Sequence, residues 1–175
     1  MVFGFFKKKD VHDVIANNLL KFAWDDYVGD MEANAVKASG IRIDLFKVEV
    51  LCLFVFSTIY AFSIWANKVG YPENDYNSII EKFHANVKNQ CEKMSKPREA
   101  FNLIMHRIKQ YDAAQKIDMR KNSQGLASME LPSLFVSCLV NSGEEIPYEF
   151  MPSASTRFHN IISTVDGLLT KIHNA

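Results

Sequence analysis

The sequence is short of the residues that build phosphate cradles and metal cages. Its 175 residues contain seven glycines (Gly4, Gly29, Gly40, Gly70, Gly125, Gly143 and Gly167), and no two lie within ten residues of each other. GxGxxG loops, Walker A loops and GxSxG elbows all need closely spaced glycines, so sites of those kinds are excluded. Three cysteines, Cys52, Cys91 and Cys138, stand 39 and 47 residues apart, with no CxxC pair. Neither a disulfide framework nor a zinc site can be read from them. Among the five histidines the closest pair, His159 and His173, is 14 residues apart, about 21 Å along a helix and too far to share an ion. An excess of one charge is missing too. Twenty basic residues balance twenty acidic ones, which removes any global attraction to nucleic acid or an anionic membrane. The basic groups at 7–9, 93–98 and 116–121 are scattered and have acidic neighbours, so nothing resembles a nucleic-acid motif.

What is present suits a globular chain. Hydrophobic residues make up 48% and charged residues 23%, too apolar a balance for dominant disorder. Glycines and prolines fall mostly where a helical period breaks, so they punctuate helices. The first periodic segment runs from Asp10, a suitable N-cap, to Val28, with Val11, Val14, Ile15, Asn18 and Phe22 toward one face. A short piece from Asp30 to Ser39 leads to Gly40. Residues 41–67 hold neither Gly nor Pro, and a strand so long would exceed the usual ~3 to 10 residues, so they form one helix.

After Pro72, the residues Tyr76, Ile79, Ile80, Phe83, Val87 and Met94 place a helix up to about Ser95. Ser95 then caps a helix with Pro97 in its first turn and Phe101, Ile104, Met105, Ile108 and Tyr111 as its stripe. Asp118 to Glu130 lacks a period and reads as a loop, and a short helix follows from near Pro132 to Gly143. Glu144 to Pro152 reads as an extended surface segment. Ser153 caps a last helix lined by Phe158, Ile161, Ile162, Val165, Leu168, Leu169 and Ile172. The expectation is an all-α fold: a single domain over residues 1–175, with 1–9 as a disordered tail. It is a bundle of about five to seven helices around one long apolar central helix, residues 41–67.

The central helix has a second reading. Residues 50–67 form an uncharged run of 18, about 27 Å as a helix against a hydrocarbon core of about 30 Å. It carries Ser57, Thr58, Tyr60, Ser63 and Asn67, and Arg42, Asp44, Lys47 and Glu49 precede it in an arrangement suited to a solvated end. The other segments each present one apolar stripe and need a shared core helix, so burial is preferred over a membrane span. Phe3, Phe5 and Phe6 beside Lys7, Lys8 and Lys9 could touch a membrane surface, but are read as a frayed end. This apolar-then-basic opening reverses a secretory signal, so export by the standard route is not expected and a reducing cytoplasm is.

Candidate chemistry is thin. Glu81 and His84 make a single Glu-x-x-His, whereas ferritin-like di-iron bundles need a second copy and more carboxylates. His12-Asp13 lacks the upstream histidine of a metal-dependent phosphohydrolase. Asp25, Asp26 and Asp30, with Glu32, could hold Mg²⁺ and through it a diphosphate, but no matching acidic helix motif follows. Glu144, Glu145 and Glu149 are interrupted by Pro147. Cys52 and Cys138 fall on apolar faces and read as small buried hydrophobes. No catalytic, cofactor or metal residue is assigned, and no cofactor is expected.

The functional expectation is a non-catalytic protein-interaction or regulatory module in the cytoplasm, with another protein or a second copy as its partner. Ile146, Tyr148, Phe150 and Met151 are the candidate interaction surface, because Tyr, Phe and Met favour interface cores. The competing reading has them sealing the bundle. The alternatives are a Mg-dependent enzyme or small-ligand binder with a pocket between helices, and membrane association through 50–67.

Overall fold

The computed structural model describes residues 10–24, 36–124, 129–140 and 150–173. Asp10 starts α1 (Val11–Trp24): its Oδ1 accepts the His12 backbone N–H at 3.0 Å, satisfying a donor the first turn leaves open. The buried stripe of α1 is Ile15, Ala16, Leu19 and Ala23. Val11, expected on that stripe, is exposed, because the small alanines rather than Val11 face the neighbouring helices. The expected end at Val28 lies outside the described residues. A helical turn at 36–38 ends at Gly40 with φ 76°, and Ile41 N–H returns to the Val36 carbonyl at 3.2 Å. Such a left-handed cap favours glycine.

The helix α2 (Ile43–Val69) is the axis of the molecule. Phe46, Leu53, Val55, Phe56, Phe62 and Trp65 are all buried although they lie on different sides of it. It packs against α1 and two later helices, α4 (Pro97–Ser123) and α6 (Met151–His173). By length and composition α2 could cross a membrane, but 67% of its most apolar stretch is buried inside the protein. It ends at Gly70, φ 64°, with Tyr71 N–H donating to the Ala66 carbonyl at 2.8 Å. Aromatic clusters are strung along it. Phe46 meets Phe135 and Phe150 at 6.1 and 5.7 Å, Phe56 meets Tyr111 and Phe158 at 5.7 and 6.0 Å, and Phe62 stacks on Tyr76 at 5.2 Å. These offset and edge geometries add to burial.

The helix α3 (Glu73–Cys91) follows a tight turn, then leaves α2 to pack on α1 and α4 through Ile79, Phe83, Val87 and Cys91. It ends at Cys91 rather than near Ser95. Lys96, not Ser95, occupies the position before α4, and no side chain caps it; Pro97 needs no N–H partner in the first turn. Residues 118–123, expected as loop, continue α4 to Ser123. Its buried stripe runs Ile104, Tyr111, Ala114, Asp118, so a carboxylate takes the position where a hydrophobe would have signalled helix.

The helix α5 (Glu130–Ser137) starts two residues before Pro132 and ends at Ser137, short of the expected Gly143, which lies outside the described residues. α6 starts at Met151, two residues before Ser153, so Ser153 is inside it rather than at its cap. Ala154, Phe158, Ile161, Val165 and Leu169 form its buried stripe. The described residues contain no strand, and the all-α bundle around one long apolar helix stands.

Candidate functional site

Inside the bundle, one turn along α2 from Phe46, lies a buried polar cluster. Glu49 on α2 has a side chain 1% exposed, and Arg107 on α4 is 17% exposed. Arg107 Nε donates to Glu49 Oε1 and Oε2 at 3.0 and 2.9 Å, and Nη2 donates to Oε1 at 2.7 Å. Tyr111 O–H adds a bond to Oε2 at 3.3 Å, and Arg107 Nη1 reaches Gln110 Oε1 at 2.7 Å. Burial opposes the Arg107 charge, but the bonds and charge of Glu49 outweigh it and hold its pKa above the ordinary value. Glu49 was expected at a solvated end; it is instead the fully buried member of a forked pair. Spacing could have signalled Arg107, which lies three residues after Ile104 and four before Tyr111 on the same stripe.

This network also governs the nearby thiols and the phenol. Burial, and then the Glu49 carboxylate, push Cys52 and Tyr111 well above their ordinary values and Cys138 up to about 11. A thiol held protonated is a poor nucleophile and metal ligand, and Cys52 and Cys91 are buried in the hydrophobic core. All three are free.

A second polar cluster clasps α1 to α3. Lys82 Nζ donates to Asp10 Oδ2 at 2.5 Å and Asp13 Oδ1 at 2.7 Å. His12 Nε2 stands 3.3 Å from Asp75 Oδ1, and its Nδ1 is 3.4 Å from Ser78 Oγ. A serine, a histidine and an aspartate thus meet in space. Acyl transfer would also need oxyanion donors, and Ser78 N–H, inside a helix, is committed to the preceding turn. The cluster is an inter-helix clasp.

Asp25, Asp26, Asp30, Glu32, Glu144, Glu145, Glu149, Ile146 and Tyr148 lie outside the described residues. Phe150 is buried against Phe46, and Met151 is half-buried against the core. Glu81 is exposed, while the ring of His84 is half-buried with an unpartnered Nε2, and burial lowers its pKa. Among the described residues no three His, Cys, Asp or Glu side chains are grouped to hold a metal.

Two concavities complete the picture. One, about 390 Å³, opens between the end of α2 and the start of α3. The other, about 110 Å³, lies between α4, α5 and α6, walled by Gln115, Asp118, Met129, Leu131, Phe158 and His159. Asp118 is a structural part of the second. Its carboxylate accepts the backbone N–H groups of Glu130 and Leu131 at 2.9 and 3.0 Å, capping α5 from a neighbouring helix. No family model, no curated protein and no solved structure matches the chain. Function therefore has to be argued from these sites.

Proposed function

We propose that this chain is a non-catalytic helical module that binds another protein, working in the cytoplasm, and that the cleft between α4, α5 and α6 receives a side chain of the partner. The observation that carries this reading is a pair of exposed methionines beside that cleft. Met129, in its wall, is 46% exposed, and Met119 is 54% exposed. The two belong to one surface: Tyr60 O–H meets Met119 Sδ at 3.1 Å, the Tyr60 ring lies 5.5 Å from Phe158, and Phe158 lines the cleft with Met129. Methionine is enriched at interface cores and adapts to irregular partners. The cleft, about 110 Å³, is far below the ~300 to 1,000 Å³ of metabolite pockets, and Gln115, Asp118, Asn122, Ser155 and His159 wall it beside Met129, Leu131, Pro132 and Phe158, so one amphipathic side chain of the partner fits it. Three free cysteines agree with a reducing compartment.

The test pairs Met119→Lys with Met129→Lys. Both side chains are exposed, so melting should stay nearly unchanged while a partner cross-linked in the source cell through a photoreactive residue at position 122, an exposed position in the wall of the cleft, is lost. Unchanged cross-linking in the double variant would sink the reading. A cross-link to a second copy, checked by sedimentation, would make the partner the chain itself.

A further inference from the structure

We propose that the cavity between the end of α2 and the start of α3 binds an organic ammonium ion of about the size of choline. The cavity exists because α3 leaves α2 directly after the Gly70 turn and packs elsewhere. At about 390 Å³ it falls within the range of small-ligand sites, unlike the methionine-flanked cleft.

Its wall selects by charge. Ser63, Asn67, Tyr71, Glu73, Tyr76 and Asn77 line it, one carboxylate and no cationic side chain. Asp75, whose carboxylate also faces His12 at 3.3 Å, adds negative charge beside Tyr71. Lys68, the cation at this end of α2, is drawn to Asp166 on α6 at 3.4 Å. Ala66 and Asn67 line it at the C-terminal end of α2, the negative pole of its dipole, with their carbonyls capped by the N–H groups of Gly70 and Tyr71. The start of α3 contributes the opposite pole, which the acidic residues Glu73 and Asp75 of its first turn offset. An anion would meet Glu73 with no partner; a cation would find one.

The wall is also rigid and aromatic. The Tyr76 ring is stacked on Phe62 at 5.2 Å, and Tyr71 is held by Trp65 at 5.4 Å and Phe62 at 6.3 Å. Ser63 Oγ donates to the Ile59 carbonyl at 2.9 Å, so Tyr76 O–H donates to Ser63 in their 2.7 Å contact. The Tyr76 oxygen therefore keeps acceptor capacity for a ligand. Two fixed phenols and a carboxylate are the groups that attract a weakly hydrated cation, through the ring quadrupole and direct charge.

The experiment is a titration of the whole chain, followed by amide chemical shifts, with choline, with its neutral isostere in which a tert-butyl group replaces trimethylammonium, and with glucose. Choline should shift the amides of Asn67, Tyr71 and Asn77 saturably, and the isostere should bind about tenfold more weakly. Glu73→Gln, at an exposed position, should weaken choline by a similar factor while lowering melting only slightly, through the lost charge in the first turn of α3. Absence of saturable choline shifts, equal binding of the isostere, preferential binding of glucose, or indifference to Glu73→Gln would each overturn the proposal. The methionine-flanked cleft lies on other helices, so failure here leaves the protein-binding reading untouched, and failure there leaves this one.

Discussion

Two of the places where ion pairs join helices in this bundle differ in almost everything except the charges. Glu49 and Arg107 tie α2 to α4 in the interior, with the carboxylate 1% exposed. Lys82 ties α3 to Asp10 and Asp13 of α1 at the surface, where the lysine is 31% exposed and the aspartates about half. At the surface, water competes for each charge and salt screens it, so such pairs stabilise little. In the interior each charge has lost its hydration, and the pair is held by what one partner would suffer without the other. Loss of one partner should therefore be costly in the interior and cheap at the clasp.

The largest effect should follow from breaking the interior pair on one side. Arg107→Met leaves Glu49 buried without a counter-charge, which typically costs about 3–5 kcal/mol. A domain of this size has about 5–15 kcal/mol in total, so the variant should sit near the edge of folding. Changing both partners, Glu49→Leu with Arg107→Met, removes the stranded charge and should recover most of that loss in urea denaturation. A single variant as stable as the parent would show that water reaches Glu49, and the contrast with the clasp would collapse.

Next in size is the carboxylate cap on α5. Asp118→Ala leaves two backbone N–H groups without their acceptor and should cost about 1–2 kcal/mol. The same change should speed tryptic cleavage after Arg120 and Lys121, because the end of α4 and the start of α5 are joined through this side chain. A smaller cost is expected for Gly70→Ala. The added carbon meets nothing within 4 Å, so the penalty is that of the left-handed backbone alone, about 1 kcal/mol.

Particular residues explain what could be read in advance. The central helix was legible because residues 41–67 hold no glycine or proline and carry hydrophobes on every side. The last turns of α4 were not, since Asp118 sits on the buried stripe and a polar residue there imitates a loop. Glu49 was misjudged for a related reason: its partner is 58 residues downstream, and local spacing near Lys47 suggested a solvated end. Ser95 and Ser153 were good caps by type, but α4 starts with Pro97 and α6 starts earlier, at Met151. The ammonium cavity depends on the divergence of α2 and α3, a property of packing that no residue pattern carries. Tyr71, Glu73 and Tyr76 are ordinary turn and helix residues until that angle brings them together.

The smallest effect should come from the clasp, and acid is the way to see it. The hydrogen bond from Lys82, helped by the His12 backbone N–H, lowers the pKa of Asp10, and Asp10 in turn raises that of Lys82. A carboxylate with a depressed folded value contributes stability that is complete above its unfolded pKa, about 3.9, and is lost as pH falls through the lower folded value. The clasp should therefore be intact at neutral pH and fail in strong acid, and on the alkaline side only as pH rises through the raised value of Lys82. Lys82→Met should barely move the melting temperature at about 0.15 M salt, and should flatten the decline in stability below about pH 4. The same arginine-free surface pair should respond to added salt, whereas the melting contribution of Arg107 and Glu49 should not, because no counter-ion reaches a carboxylate with 1% of its side chain exposed. A Lys82→Met variant that melts as low as Arg107→Met would mean that the α1–α3 contact is held by charge rather than by Ile15, Leu19, Ile79 and Phe83, and surface and interior pairs would then rank alike.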